Sequence, residues 1–325
     1  MMRFLSFLLL TVLLLCACCC KTSSIRQQNV QTVSIQQNGE TILRYQIAPK
    51  SPSFSTEFDY TRSGFLHPIR SPRGVLLTDD FPVGHTHQNG VFFAWTSTTF
   101  RGQQIDCWNR HNGSGTVLSK KENEGVDVYH HAKGAVSWTD TLQHIGVTTD
   151  GAVVILEEAR VHRYQPLKDA YFIDMQTIQT NVSTDTLFIN QYHYGGLGVR
   201  MSKSWNAVDS THFEQPMRIL TSEGINEETA NHTRPNWVCA YGKIEGKLAG
   251  LVVMNHPDNF RSPQFVRVHP SMPYFCFIPT VDAGFLIAPD AQYQAKYRMY
   301  VFDGEVSKQK IDEVWRSYAQ SALAD

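Results

Sequence analysis

The chain has 325 residues, with 29 Lys and Arg against 30 Asp and Glu and a formal net charge of −1. That balance leaves no basic footprint for nucleic acid. The length allows one large β domain or two smaller ones. Aromatic residues at 11%, with many Tyr, Trp, His and Asn, suit a protein that meets sugars or other polar ligands.

In chain order, Arg3 precedes an almost unbroken apolar run from Phe4 to Leu15, then a cluster of cysteines and Lys21. The run is short for a membrane-spanning helix and is expected to be a secretory leader. Leu15-Cys16-Ala17-Cys18 resembles a bacterial lipobox, so residues 1–17 are read as the signal peptide and Cys18 as the lipidated new N-terminus. The expectation is an envelope protein facing periplasm or exterior, touching the membrane only through its lipid. Residues 18–30 read as a polar tether, and 31–325 as a single domain. Outside the leader, Cys107, Cys239 and Cys276 have neither disulfide-framework nor zinc spacing and are expected to be free.

From Val33 onward the dominant signal is period two. Strands are expected at Thr41 to Ile47, Val126 to His130, Ala135 to Thr139, Ala152 to Tyr164, Tyr171 to Ile178 and Thr186 to Gln191. Four more are expected at Trp237 to Tyr241, Leu248 to Met254, Tyr274 to Ile278 and Tyr297 to Phe302. Lys133-Gly134 carries a hairpin signal. One helix is expected after an N-cap at Ser307, with Ile311, Val314, Trp315, Tyr318, Ala319 and Ala322 on one face packed outside a sheet. No βαβ alternation, phosphate loop or fixed repeat is present. The pattern predicts an all-β, antiparallel two-sheet sandwich with a C-terminal helix. Two long irregular stretches, 61–90 and 202–235, are read as loops on the active face.

Chemistry-bearing residues are densest from His67 to Arg110. His85-Thr86-His87 would place both imidazoles on one face if extended. Asp106 is a candidate to orient one of them, and Trp95, Trp108 and Asn109 lie nearby. The stretch from Asn190 to Arg200 offers His193, Tyr194 and Arg200. As a continued strand it would put Tyr192 and Tyr194 opposite His193, and its glycines suggest backbone close to a ligand. Arg200 could take a carboxylate or a negatively charged sugar substituent. Asn255-His256-Pro257-Asp258-Asn259 ends an apolar strand, where His256 and Asn259 could bind ligand or simply form a turn. Glu157 and Glu158 must face opposite ways, so no carboxylate pair can be placed at a glycosidase separation.

In combination, H-P-I-R-S-P-R-G, H-T-H-Q-N-G-V-F-F-A-W, D-C-W-N-R, Y-G-G-L-G-V-R and N-H-P-D-N resemble the PmoA-like family of secreted bacterial proteins. Against that family's D-H-x-H-H-R-G pattern, His85, His87 and Gly90 match, while Gly84, Gln88 and Asn89 stand for the acid, the second paired histidine and the arginine. The resemblance implies a galactose-mutarotase-like supersandwich and carbohydrate-processing partners. One sheet face of such a sandwich carries the groups that act on a sugar.

Three functions remain open at this point. The first is a glycoside-processing hydrolase, lyase or epimerase on a small-molecule or oligosaccharide ligand. His85, His87, Asp106 and His193 would be catalytic, and Trp95, Trp108, Asn109, Tyr194, Arg200, His256 and Asn259 would bind substrate. The second is a non-catalytic glycan-binding lipoprotein. The third uses the His85/His87 pair to hold a divalent metal, its third ligand drawn from Asp79, Asp80, Asp106, His193 or His256.

Overall fold

A computed structural model describes residues 23–321. The leader and Cys18 lie outside the described residues. An eight-stranded antiparallel sheet runs in the order Ser23–Gln28, Thr32–Gln37, Glu40–Gln46, Phe65–Ile69, Val91–Ala94, Gly196–Arg200, Tyr274–Ile278, Phe265–Val268. Facing it is a nine-stranded sheet in the order Arg218–Thr221, Trp237–Ile244, Lys247–Asn255, Gln292–Asp303, Ala170–Asn181, Gly151–Pro166, Val136–Thr148, Gly115–Ser119, with Val128–His130 beside Val136–Thr148. A small third sheet joins Phe285–Ile287, Leu187–Ile189, Thr98–Phe100 and Gln103–Ile105. The architecture is the expected antiparallel sandwich. Residues 23–28, read from their polarity as tether, instead form an edge strand, because edge pairing needs backbone groups rather than apolar side chains.

The core follows from period two. Tyr293, Ala295, Tyr297, Met299 and Val301 point inward from one sheet and meet Phe93 and Phe277 of the other. Strands Trp237–Ile244 and Lys247–Asn255 are apolar on both faces, since their outer face is roofed by the helix Lys308–Ala319. Ser307 caps that helix, its Oγ accepting from the Lys310 amide at 3.1 Å. The Trp315 indole donates to the Asn255 carbonyl at 3.1 Å, as a docked stripe should. Cys107, Cys239 and Cys276 are free and buried.

The interior also holds a polar layer that alternation alone does not announce. Glu158, wholly buried, accepts from Arg160 Nε at 2.6 Å and bonds His144 Nε2 at 2.7 Å. Asp140 accepts from Tyr45 at 2.8 Å and from Ser119 at 2.6 Å. Glu157, the chain neighbour of Glu158 on the other face, pairs with Lys120 at the surface. Asp174 is buried in a fork with Arg298, which lies against the Tyr318 ring.

Candidate functional site

In the eight-stranded sheet, Arg200 stands opposite Tyr274, Gly198 opposite Cys276 and Phe92, and Arg267 opposite Cys276. Directly paired residues share a face, so Arg200, Arg267 and Tyr274 all point away from the sandwich core. The intervening Leu197, Val199, Phe275 and Phe277 supply the core. Three loops cover this outer face. Their side chains, with Arg267, His269 and Tyr274, enclose a pocket of about 570 Å³.

The first loop carries His85 and His87. Two successive turns, with the His85 amide donating to the Pro82 carbonyl at 3.2 Å and Gln88 to His85 at 2.9 Å, point both rings into the pocket. The segment is not extended, so convergence comes from turns rather than from strand alternation. The loop rejoins the sheet at Gly90 (φ +43°), where a Cβ would sit 2.0 Å from the Leu66 carbonyl oxygen and no other residue fits.

The second loop is built by Asp106. Its carboxylate accepts from the Trp108 and Asn109 amides and from the Asn109 side chain, each at 2.8 Å. Expected to orient a histidine, Asp106 instead ties this turn and aims Asn109, because its two oxygens are occupied by local donors. Arg110 then takes a left-handed conformation, φ 62°, and His111 turns back into the pocket. Trp108 is fully buried. It seats on Gly198, where a Cβ would meet its ring at 2.6 Å. The backbone close approach read from the glycines is thus made to the chain's own tryptophan.

The third segment brings His193 and Tyr194 to the same pocket, since the strand begins only at Gly196 and the expected alternation does not reach them. The Tyr194 hydroxyl donates to Asn109 Oδ1 at 3.1 Å. Opposite, His269 Nδ1 accepts from the Ser271 and Met272 amides at 3.2 and 3.0 Å, which leaves the proton of the neutral ring on Nε2.

Five imidazoles therefore share one pocket: His85, His87, His111, His193 and His269. Ring centroids run His111 to His87 at 5.3 Å, His87 to His85 at 5.1 Å and His85 to His269 at 5.3 Å. Burial, then Arg200 and His269, lowers His85 to about 4. Burial, then Arg267 and Arg200, lowers His269 to about 4. Burial, then His85 and His111, holds His87 well below an ordinary histidine. At neutral pH these three rings are uncharged.

His85, His87, Asn109, His193 and Tyr194 thus meet as expected. Arg200 is fully buried behind the wall, its Nη1 3.3 Å from Gln88 Oε1. Trp95 cannot stack on a ligand: it is a core residue whose indole donates to Gln179 at 2.7 Å. Trp108 is likewise beneath the surface, its ring tilted 60° against Tyr194 at a 5.9 Å centroid separation. His256 and Asn259 lie elsewhere. The His256 ring packs on Tyr318 of the helix, and Asn259 is bound to Asn255 and to the Lys296 backbone. Tyr60, His111 and Tyr274 went unrecognised, although His111 directly follows D-C-W-N-R. Arg267 and His269 also line the pocket, with no motif around them in the sequence to mark them. Among the described residues no group of three His, Cys, Asp or Glu side chains is arranged to hold a metal ion. Asp80, one proposed third ligand, is taken by His67 and Lys50.

The profile of a family of unknown function (DUF6807) matches residues 32–316, and the chain belongs to that family. No curated protein matches it. Among solved structures it is similar to a galactose mutarotase related enzyme from Lactobacillus acidophilus (8% identity, 88% of this chain and 98% of that one, TM-score 0.37). It is also similar to a putative aldose 1-epimerase from Klebsiella pneumoniae (10%, 90% and 84%, 0.37). A third is a heparan sulfate lyase from Pedobacter heparinus (10%, 86% and 36%, 0.39). Similarity at this level carries no argument about chemistry or ligand.

Proposed function

We propose that this DUF6807 member processes carbohydrate at the five-histidine pocket, by moving protons as a lyase or epimerase does. The observation that carries the proposal is the convergence of His85, His87, His111, His193 and His269 from four chain segments on one open cavity. A volume near 570 Å³ is within the range of small-ligand sites. Asn109, Tyr194, Tyr274 and the His269 Nε2–H supply donors and acceptors of the kind that hydroxyl groups need. Neutral imidazoles can accept a proton, and Tyr194 or His269 can return one to a leaving oxygen. Paired-carboxylate hydrolysis is disfavoured, because among the described residues no Asp or Glu lines the cavity. The leader read from the sequence would place this chemistry in the cell envelope.

Non-catalytic glycan binding is the second reading. It is favoured by the low basicity of His85 and His269, since a base works best when its pKa is near the working pH. One pair of variants separates the two. His87→Ala should abolish turnover of an oligosaccharide panel, and Asn109→Ala should weaken its binding at least about tenfold, or about 1.4 kcal/mol. Binding and turnover that both survive His87→Ala and Asn109→Ala would refute the site. Binding without turnover in the wild type would select the second reading.

A further inference from the structure

The positive charge around this pocket is not met by a hydrogen-bonded ion pair among the described residues. Elsewhere in the molecule buried arginines are paired. Arg160 grips Glu158 through Nε and Nη2, Arg298 grips Asp174 through the same two atoms, and Arg110 lies 3.6 Å from Asp59. Arg200, Arg267 and Arg62 differ. Among the described residues none of the three forms an ion pair.

Arg200 sits behind His85, His87, His269 and Tyr274, with its Nε and Nη2, the fork that grips carboxylates at Glu158 and Asp174, buried and without a partner. Asp79 and Asp209 face it electrostatically without hydrogen-bonding it. Asp79 accepts from the Asp80 amide, and Asp209 holds His212 at 2.8 Å. Arg267 stands in the pocket wall, with Nη1 on Asn231 and a buried Nε that has no partner. Arg62 lies under the Asp106 loop, donating Nη2 to the Cys107 and Trp108 carbonyls and leaving Nε and Nη1 unpartnered. Burial lowers Arg62 and Arg200 only to about 9 and about 10, so both stay cationic at neutral pH. A buried unpaired charge is costly, and a partner from outside removes the cost.

We propose that the sugar taken by this pocket bears an oxyanion substituent, a carboxylate or a sulfate ester, held against the wall formed by Arg267, His269 and Tyr274 in the field of Arg200. Planar forked donors suit both groups. Among the described residues the pocket lining contains no carboxylate to repel them. The proposal rests on the carbohydrate reading of the site and narrows its substrate class. It also gives the imidazoles a second role, since an anion beside His85 and His269 favours their protonated forms.

The test is calorimetric titration of the full chain with three matched panels. These are oligouronates, the same oligouronates with carboxylates reduced to alcohols, and sulfated neutral oligosaccharides. At least one acidic panel should contain a ligand bound at least about tenfold more tightly than its neutral counterpart, with affinity falling as salt rises. Tight binding in the uronate arm alone assigns a carboxylate, and in the sulfate arm alone a sulfate ester. Arg267→Gln, at the pocket wall, should abolish the preference for the acidic over the neutral panel, read as the ratio of their affinities, with the melting temperature near wild type. Equal binding of the reduced and unreduced oligouronates, with the sulfated panel bound no more tightly than its unsulfated counterpart, overturns the anion inference and leaves the carbohydrate site standing. No binding in any arm overturns both. Because Arg200→Met removes a buried group and could unfold the chain, salt dependence in the wild type serves as the independent readout.

Discussion

At the scale of single residues, position and charge state decide what each histidine can do. His162 stacks on Trp138 at 5.0 Å with 12° between the rings, is 1% exposed, and is lowered to about 3 by burial, then by Arg160. His85 and His269 are lowered to about 4. An unfolded histidine titrates near 6.5. Between that pH and the folded values the unfolded chain binds more protons, so stability is full above about 6.5 and is lost as pH falls toward about 3. Each such group steepens the loss by up to ~1.4 kcal/mol per pH unit. Thermal melts from pH 7 to pH 4 should show this acid branch, and His162→Phe should flatten it. A branch with the same slope in His162→Phe would exclude His162 as its source. Residues at this scale were partly legible. His85, His87, His193, Asn109 and Tyr194 lie in runs dense in polar groups. Asp106 was misassigned because sequence cannot show that its oxygens are spent on Trp108 and Asn109 amides two and three residues on. Trp95 and Trp108 were misassigned because a tryptophan near polar groups reads as a ligand platform, whereas both are core.

Among secondary elements, the long strands and the final helix were the most legible, because alternation over ten or more positions and a capped amphipathic stripe leave few alternatives. Short strands such as Thr98–Phe100, Gly196–Arg200 and Phe285–Ile287 carry too few residues for periodicity to show. The helix cap has a testable weight. Ser307→Ala should cost about 1 kcal/mol in urea unfolding, and no loss would mean that the docked Trp315 face alone fixes the helix start. The polar layer inside the sandwich makes a stronger prediction. Desolvation opposes ionisation of Glu158, yet Arg160 and His144 hold its carboxyl at about 2, so it is charged in the folded state. Glu158→Ala would strand Arg160 in the interior and should cost roughly 3–5 kcal/mol, as measured by denaturant unfolding. A loss below about 1 kcal/mol would mean that water reaches Arg160 in solution. Strand Gly151–Pro166 shows alternation clearly, yet alternation cannot say whether its inward residues are apolar or paired ions.

For the whole molecule, the sandwich separates two tasks. One face of the eight-stranded sheet closes the core through Leu197, Val199, Phe275 and Phe277. The other presents Arg200, Arg267 and Tyr274 to loops that add His85, His87, Asn109, His111, His193 and Tyr194. Segments more than 150 positions apart in sequence thus build one cavity, as His85 and His269 show. That is why the first half of the site was visible in a single run of sequence and the second half was not. His256 and Asn259 sit just as prominently in sequence, but the topology carries them under the C-terminal helix and away from the pocket. The central claim is that this cavity is where a sugar binds. The most direct measurement is a crystal of the full chain soaked with the acidic and neutral oligosaccharide panels. Sugar density is expected between His87, Asn109, Tyr194 and His269, with any oxyanion beside Arg267. Sugar bound elsewhere on the molecule while this pocket holds only solvent would contradict it.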